Sequence, residues 1–436
     1  LGLDVISRGL LGGALVSSTV RVAGVLLGYG AHVVLSRLLG LHGYGTYVIA
    51  LSWALVLTIP TRLGFDQSAL RYATVYLESG QIGRFRGFMR VAILSVSLVA
   101  VGLGCVMVLV GSRVAAGANR ETVVAAALII LPLALLGIMS VVMRTAGRIF
   151  ASQFYDQVLR PALLIAMVGG LALAGMKLTV SSALIATALS AFGALAALGI
   201  HLRWLFASAR TIPANYDAWK PWFTVSLPLL AITLAQELMN QLEVILLGYF
   251  ADARQAGLFA AAWRLASLTP FALVALAIVS GPMVASAYHR RDFEALNRVA
   301  GLTARLGLAF SACASILLAI AGKPLLGIFG AEFKAAYPAL LILLVGGLIN
   351  AFTGVVAYLL TLTGRERHAL WIFLGSLGLS LGLNVLLIPR LGFVGAAIAS
   401  SSALGCWNLV MLVYVRRVLG IDASALGLSP RRAHLV

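Results

Sequence analysis

Residues Val91 to Ser112 read VAILSVSLVAVGLGCVMVLVGS, an unbroken run with no ionisable acid or base. A helix rises about 1.5 Å per residue, so about 20 apolar residues cross a hydrocarbon core of about 30 Å. Lipid offers no hydrogen bonds to backbone amides, so such a run must be helical. Working outward, comparable runs bounded by charges or turn residues occur at Leu10 to Leu35, Tyr44 to Phe65, Thr122 to Val142, Val158 to Gly175, Leu178 to Ile200 and Phe223 to Tyr249. They continue at Gln255 to Ser280, Leu302 to Gly322, Ala335 to Thr363, Ala369 to Ile388 and Phe393 to Val415. The pattern predicts an all-α integral membrane protein with about twelve transmembrane helices. The first run is too long for a cleavable signal, carries Arg21 and leads into further spans.

Composition agrees with that class. Of 436 residues, 61% are hydrophobic and 11% charged, and the mean hydropathy is +1.02. Soluble domains hold about 45–50% apolar and about 25% charged residues, so a water-facing fold is excluded. A net charge of +18 would point to nucleic acid in a globular protein. Here the basic residues punctuate apolar runs instead of forming one stripe, so the expected partners are anionic membrane lipids and an anionic substrate, with no nucleic acid. Cys105, Cys313 and Cys406 sit within apolar stretches and read as packing residues, with no metal site and no cofactor implied.

Lys and Arg also predict orientation, because positively charged short loops stay in the cytoplasm. With the N-terminus inside, cytoplasmic segments hold 21 of the 32 Lys and Arg residues. Eight fall outside: Arg37, Arg113, Arg120, Lys177, Arg254, Lys323, Lys334 and Arg390. Both termini are therefore expected in the cytoplasm, and the three residues left after this assignment, Arg21, Arg62 and Arg264, lie within or at the edge of spans.

The stretch from Gly43, GYGTYVIALSWALVLTIPTRLGFDQSALRYATVYLESGQIGRFRG, aligns without gaps on the stretch from Gln255. Gly45 then pairs with Gly257, Tyr47 with Phe259, Ser68 with Ser280, Tyr76 with Tyr288 and Arg86 with Arg298. Each copy runs from a glycine-containing outer turn through a span to a basic amphipathic segment. The repeat predicts two six-helix lobes, residues 1–202 and 223–418, joined by a polar cytoplasmic linker at 203–222 and followed by a cytoplasmic tail at 419–436. Transporters commonly place the substrate path at such a repeat interface.

The pieces SRLLGLHGYGTY, DARQAGLFAAAWRL, SGPMVASAY and IPRLGFVGAAIASS resemble the polysaccharide and oligosaccharide flippases, O-antigen flippase-like members of the multidrug/oligosaccharidyl-lipid/polysaccharide exporter superfamily. The resemblance implies a V-shaped helical bundle in a bacterial inner membrane. It further implies transport of a polyprenyl-pyrophosphate-linked oligosaccharide from the cytoplasmic to the outer leaflet, by alternating access, for surface polysaccharide such as lipopolysaccharide O-antigen or exopolysaccharide. Polysaccharide polymerase machinery is a further partner consistent with that role.

Arginine at a helix centre costs about 2.5–3.5 kcal/mol on insertion scales and tends to face a cavity or a partner. Ser17, Arg21, Gly24, Gly28 and His32 share one helical stripe, mixing polar groups with glycines that admit a close neighbour. A planar guanidinium suits pyrophosphate because it donates two parallel hydrogen bonds. Arg264, in the opposite half, is the second candidate for that anion, and related lipid II flippases carry cavity arginines on similar helices. The alternative for Arg21 is a packed pair with a carboxylate. Arg62 has Asp66 at i+4, so it divides between a structural pair and the cytoplasmic mouth. His32 reads as structural.

The seventh run contains QELMNQLE, in which Gln236, Glu237, Asn240, Gln241 and Glu243 cover an arc too polar to face lipid. Gln236, Asn240 and Gln241 are candidate sugar-binding groups, and Glu237 or Glu243 a candidate proton or sodium site; the alternative is a polar seam between helices. Arg84, Arg86, Arg90 and Arg290, Arg291, Arg298 read as interfacial segments meeting anionic lipid.

No phosphate-binding glycine loop, nucleophile elbow or paired metal-ligand motif is present, so the reading is a transporter and not an enzyme. A membrane glycan polymerase or ligase is the enzymatic rival, but the longest outer loop, near Lys323 to Lys334, leaves little room for a catalytic domain. A cation-coupled multidrug exporter is the rival transporter, disfavoured because cavity arginines repel cationic cargo.

Overall fold

The computed structural model describes residues 2–114, 119–207, 211–362 and 365–427, and among these every regular element is helical. In chain order they are α1 (Gly2–Thr61), α2 (Phe65–Glu78), α3 (Ile82–Val114), α4 (Arg120–Thr145), α5 (Ile149–Phe154), a π-helical turn (Tyr155–Leu159), α6 (Arg160–Leu173) and α7 (Val180–Leu205). Then follow α8 (Trp219–Phe250), α9 (Ala253–Ala266), α10 (Phe271–His289), α11 (Phe293–Phe329), a 3-10 segment (Ala331–Ala336), α12 (Tyr337–Thr353), α13 (Val356–Leu362) and α14 (Glu366–Leu419).

Nine stretches among the described residues are long and apolar enough to cross a membrane. Two of them are double. With 60 residues α1 would reach about 90 Å if straight, three times the hydrocarbon core. It turns back at Gly40 (φ 69°, ψ 176°), and α14, with 54 residues, does the same at Gly392 (φ 57°, ψ −134°). Only glycine adopts such backbone angles without steric cost, so one residue replaces a loop. One further span is divided between α9 and α10, where Ser267–Pro270 interrupts the helix. Among the described residues these elements are consistent with twelve crossings, the number the apolar runs predict.

Two compact units divide the chain, Leu1–Gln241 and Leu242–Val436. In the first, α4 is the central helix, packed by α1, α2, α3 and α7. Its core joins Phe65, Phe88, Ala134, Ile138 and Trp222, all fully buried. In the second unit α12 takes the equivalent place, packed by α9, α11 and α14. The repeat is thus visible inside each unit, since α4 and α12 both supply the fourth crossing of their half. The turn between α2 and α3 and the one between α10 and α11 correspond with an offset one residue shorter than the sequence alignment. Gly80 (φ 69°) at the first stands where Arg291 (φ 55°) stands at the second.

The linker is held against the first unit. Asn215 N–H donates to the Gly83 carbonyl at 2.9 Å. A Cβ on Gly87 would collide with the Asn215 carbonyl, so glycine is what lets the strands of chain meet. Arg84 pairs with Asp217 at 3.2 Å, Arg90 donates to the Tyr216 hydroxyl at 3.3 Å, and Arg86 donates to the Ile212 carbonyl. These three arginines, expected to meet lipid, spend part of their hydrogen-bonding capacity on this strap.

After α14 the chain does not leave the second unit at once. Ile421, Ala423 and Ser424 are fully buried among α10, α11, α13 and α14. Arg416 grips Asp422 through two bonds of 3.0 and 2.8 Å, Asn297 accepts from Asp422 N–H at 2.7 Å, and Ala425 N–H donates to the Phe352 carbonyl at 2.9 Å. Arg305 holds the Ala425 carbonyl at 3.0 Å. Arg431 and Arg432 lie outside the described residues.

Candidate functional site

Arg21 lies in the first crossing half of α1, partly exposed, and no carboxylate among the described residues pairs with it. The glycines of its stripe serve two purposes. A Cβ on Gly24 would approach the Gln157 Cβ and carbonyl to 2.8 Å, so this glycine admits the π-helical turn of the neighbouring helix. Gly28 faces open space, with nothing within 4 Å of a built Cβ. A π turn widens the backbone and is often found at functional sites; this one sits beside the intramembrane arginine. His32 is buried, with Nδ1 3.1 Å from the Tyr44 hydroxyl, and plays the packing role expected of it.

Arg62 follows the other expected branch. Its guanidinium lies 3.6 Å from the Asp66 carboxylate, donates to the Leu133 carbonyl at 3.3 Å and rests on Gly137 of α4. Those contacts seat it in packing between α1 and α4. Arg264, at the end of α9 in the second unit, is half-buried and lies 5.6 Å from the Trp263 ring centroid.

The polar arc of α8 is divided by the fold. Gln241 Nε2 donates to Glu237 at 2.8 Å and its Oε1 accepts from Ser52 of α1 at 2.9 Å, forming a relay of three side chains in the first unit. Gln236 and Asn240 are exposed. Glu243 lies two turns along the same stripe, where α14 covers it, and is 4% exposed.

Around Glu243 the second unit builds a buried oxygen cluster that single-residue reading underrates. Ser380 donates to its carboxylate at 3.4 Å, and Ser400 and Asn384 are also within hydrogen-bonding reach. Asn384 Nδ2 donates to the Ser380 carbonyl and hydroxyl at 2.9 and 3.2 Å, while its Oδ1 is buried with no partner. A carboxylate, two hydroxyls and an orphaned amide oxygen make a hard, oxygen-rich donor set that fits a proton or a small cation. The sequence does carry a signal: Ser376, Ser380 and Asn384 recur at i, i+4 and i+8, a polar stripe on an otherwise apolar run.

Three of the four quoted motifs hold corners, while SGPMVASAY lies inside α10. Asp252 caps α9 by accepting from Gln255 N–H at 2.8 Å, and the Gln255 side chain accepts from Phe393 N–H at 3.0 Å, holding the chain reversal at Gly392.

Comparison with known proteins places this geometry. A region of "Probable flippase AglR" from Haloferax volcanii is 27% identical over 166 residues, 36% of this chain and 34% of that relative, so the match spans about a third of the relative's length. Two solved structures share the fold. A lipid II flippase, MurJ, in an inward closed conformation superposes with TM-score 0.74 at 14% identity, over 92% of this chain and 87% of its own. An inward-facing multidrug resistance MATE family transporter of the MOP superfamily gives 0.72 at 15% identity, over 92% and 97%. The MatE family matches residues 228–386. The polysaccharide biosynthesis protein family matches residues 10–287, more than half of the chain, which therefore belongs to that family.

Proposed function

We propose that the protein flips a polyprenyl-pyrophosphate-linked oligosaccharide from the cytoplasmic to the outer leaflet of a bacterial inner membrane, by alternating access, in surface polysaccharide synthesis. The observation that carries this reading is Arg21: a guanidinium inside a crossing helix with no carboxylate partner among the described residues needs an anion or water to offset its insertion cost. Arg264, in the second unit, is a further candidate for an anionic substrate group. Gln236, Asn240 and Gln241 offer amides to sugar hydroxyls, and Arg62 positions α1 against α4 at the cytoplasmic mouth. Both termini face the cytoplasm, and a polysaccharide polymerase receives the product. Ion coupling runs through Glu243 with Ser380, Asn384 and Ser400.

The test is surface glycan in cells producing Arg21→Ala or Arg264→Ala at normal membrane levels. Loss in both supports the assignment; full surface glycan in both overturns it. A cation-coupled multidrug exporter is the second reading, favoured by the buried carboxylate of Glu243. It requires resistance to cationic drugs that survives Arg21→Ala.

A further inference from the structure

The apolar run of the fifth crossing starts at Val158, and Arg160 counts as cytoplasmic on that reading. In the structure α5, the π turn and α6 are continuous, so the apolar stretch reaches back to Ile149 and covers Ile149–Leu173, 25 residues. Arg160 then stands one residue before its midpoint, with Asp156 one turn earlier. Charges at that depth face a partner, the bundle interior or water. These two satisfy each other only in part. Arg160 Nε donates to Asp156 Oδ1 at 2.8 Å. The second carboxylate oxygen and both terminal nitrogens of the guanidinium make no hydrogen bond among the described residues. The Arg160 and Asp156 side chains keep 31% and 44% of their surface exposed, so the pair is not packed away.

The neighbouring helix leaves room beside them. Gly24 of α1 lies against Gln157, and Gly30 against Ile165, so the two helices run parallel. Between these contacts, on the face of Gly24 and close to the level of Arg160, Gly28 has nothing within 4 Å of a built Cβ. The Gln157 amide, carried by the π turn, is half-buried and makes no hydrogen bond among the described residues. This face therefore offers a carboxylate oxygen that accepts, a guanidinium that donates, and an amide that does both. It has no net charge, because Asp156 cancels Arg160. Lipid tails make no use of such groups, and a phosphate would meet a carboxylate of its own sign. Sugar hydroxyls each donate and accept, which matches the set.

We infer that Asp156, Gln157 and Arg160 form a saccharide subsite within the first unit. The free oxygen of Asp156 accepts from one sugar hydroxyl, the terminal nitrogens of Arg160 donate to its neighbour, and the Gln157 amide takes a third position. Arg21, about one turn before Gly24 on α1, is left to the phosphates, and this face reads the sugar. The inference rests on the proposed cargo, a lipid-linked glycan, and adds which residues select its uncharged part.

The experiment is native mass spectrometry of the full chain, purified in mild detergent and titrated with undecaprenyl pyrophosphate and with its N-acetylglucosamine-linked form. The unaltered chain should bind the glycosylated lipid about tenfold more tightly, the yield of one or two hydrogen bonds. Asp156→Asn combined with Arg160→Gln removes two charges from the span, so that variant should insert, bind the sugar-free lipid as before and lose the preference. Asp156→Arg combined with Arg160→Asp keeps a neutral pair in reversed order and should lose it too, whereas a pair that only neutralised the helix would leave the preference intact. Preference for the glycosylated lipid surviving in either variant would overturn the subsite, as would equal weakening of both lipids in both variants. Binding of the sugar-free lipid by the unaltered chain with no gain from the sugar overturns the subsite alone. Binding of neither lipid overturns the functional reading, and the subsite with it.

Discussion

Replacing Asp422 by Asn should release the chain after α14 from the second unit. The carboxylate is 5% exposed and accepts four bonds: from Arg416 at 3.0 and 2.8 Å, from Ser424 N–H at 3.0 Å and from the Ser424 hydroxyl at 2.7 Å. Asparagine keeps Oδ1 for Ser424 and for Arg416 Nε but puts an NH2 group in place of Oδ2, so the Arg416 Nη2 bond is lost and the remaining one no longer joins opposite charges. Each such bond contributes about 1.5–3 kcal/mol. The Arg416 side chain is 37% exposed, so water recovers part of the loss. The net effect is about 2 kcal/mol, or roughly a 30-fold shift towards the released tail. Hydrogen exchange in nanodiscs reads this directly, because Ala425 N–H is protected only while it donates to the Phe352 carbonyl. Arg416→Ala should give a similar loss, and the double variant little more, since the two residues act as one pair. Unchanged exchange at Ser424 and Ala425 in Asp422→Asn would refute the reasoning.

Gly64→Ala should cost roughly 3 kcal/mol, measured as unfolding temperature or membrane yield, from a left-handed backbone penalty plus overpacking. The basis is φ 75° and a built Cβ 2.0 Å from the Ser226 carbonyl oxygen; Gly28→Ala, in open space, is the neutral control. Glu243→Gln should preserve membrane levels but uncouple transport from an imposed proton or sodium gradient. Persisting gradient dependence would remove Glu243 from the coupling role. Arg84→Ala should change stability by less than about 1 kcal/mol, because its pair with Asp217 is exposed on both sides; a larger loss in thermal unfolding would show that the linker strap carries more of the fold.

Class and crossing number were legible because lipid enforces them: a run such as Val91 to Ser112 admits only a helix. The chain reversals at Gly40 and Gly392 were not. A loop was the natural expectation between apolar runs ending at Leu35 and resuming at Tyr44, and hydropathy does not report that one glycine suffices. The arginines show the same limit. Arg62 was recognisable with Asp66 because both lie one turn apart on one helix, whereas the docking of Arg84 and Arg90 on Asp217 and Tyr216 brings together residues more than 120 positions apart. Glu243 was visible as an anomaly, but its enclosure by Ser380, Asn384 and Ser400 depends on α14 lying over α8. The polar stripe on α14 was in the sequence, diluted by treating each serine as a local backbone partner.

The single-glycine reversals bear on how the chain enters the membrane. Because α1 turns back at Gly40 with no intervening loop, there is no separate segment to carry across the bilayer before the second crossing forms. The first two crossings can insert together as one closed hairpin, whose corner carries Arg37 and His42. The same holds at Gly392, whose corner carries Arg390. Each pair of crossings is thus joined as a unit, and lengthening either corner would add a free polar loop where the chain has a single glycine.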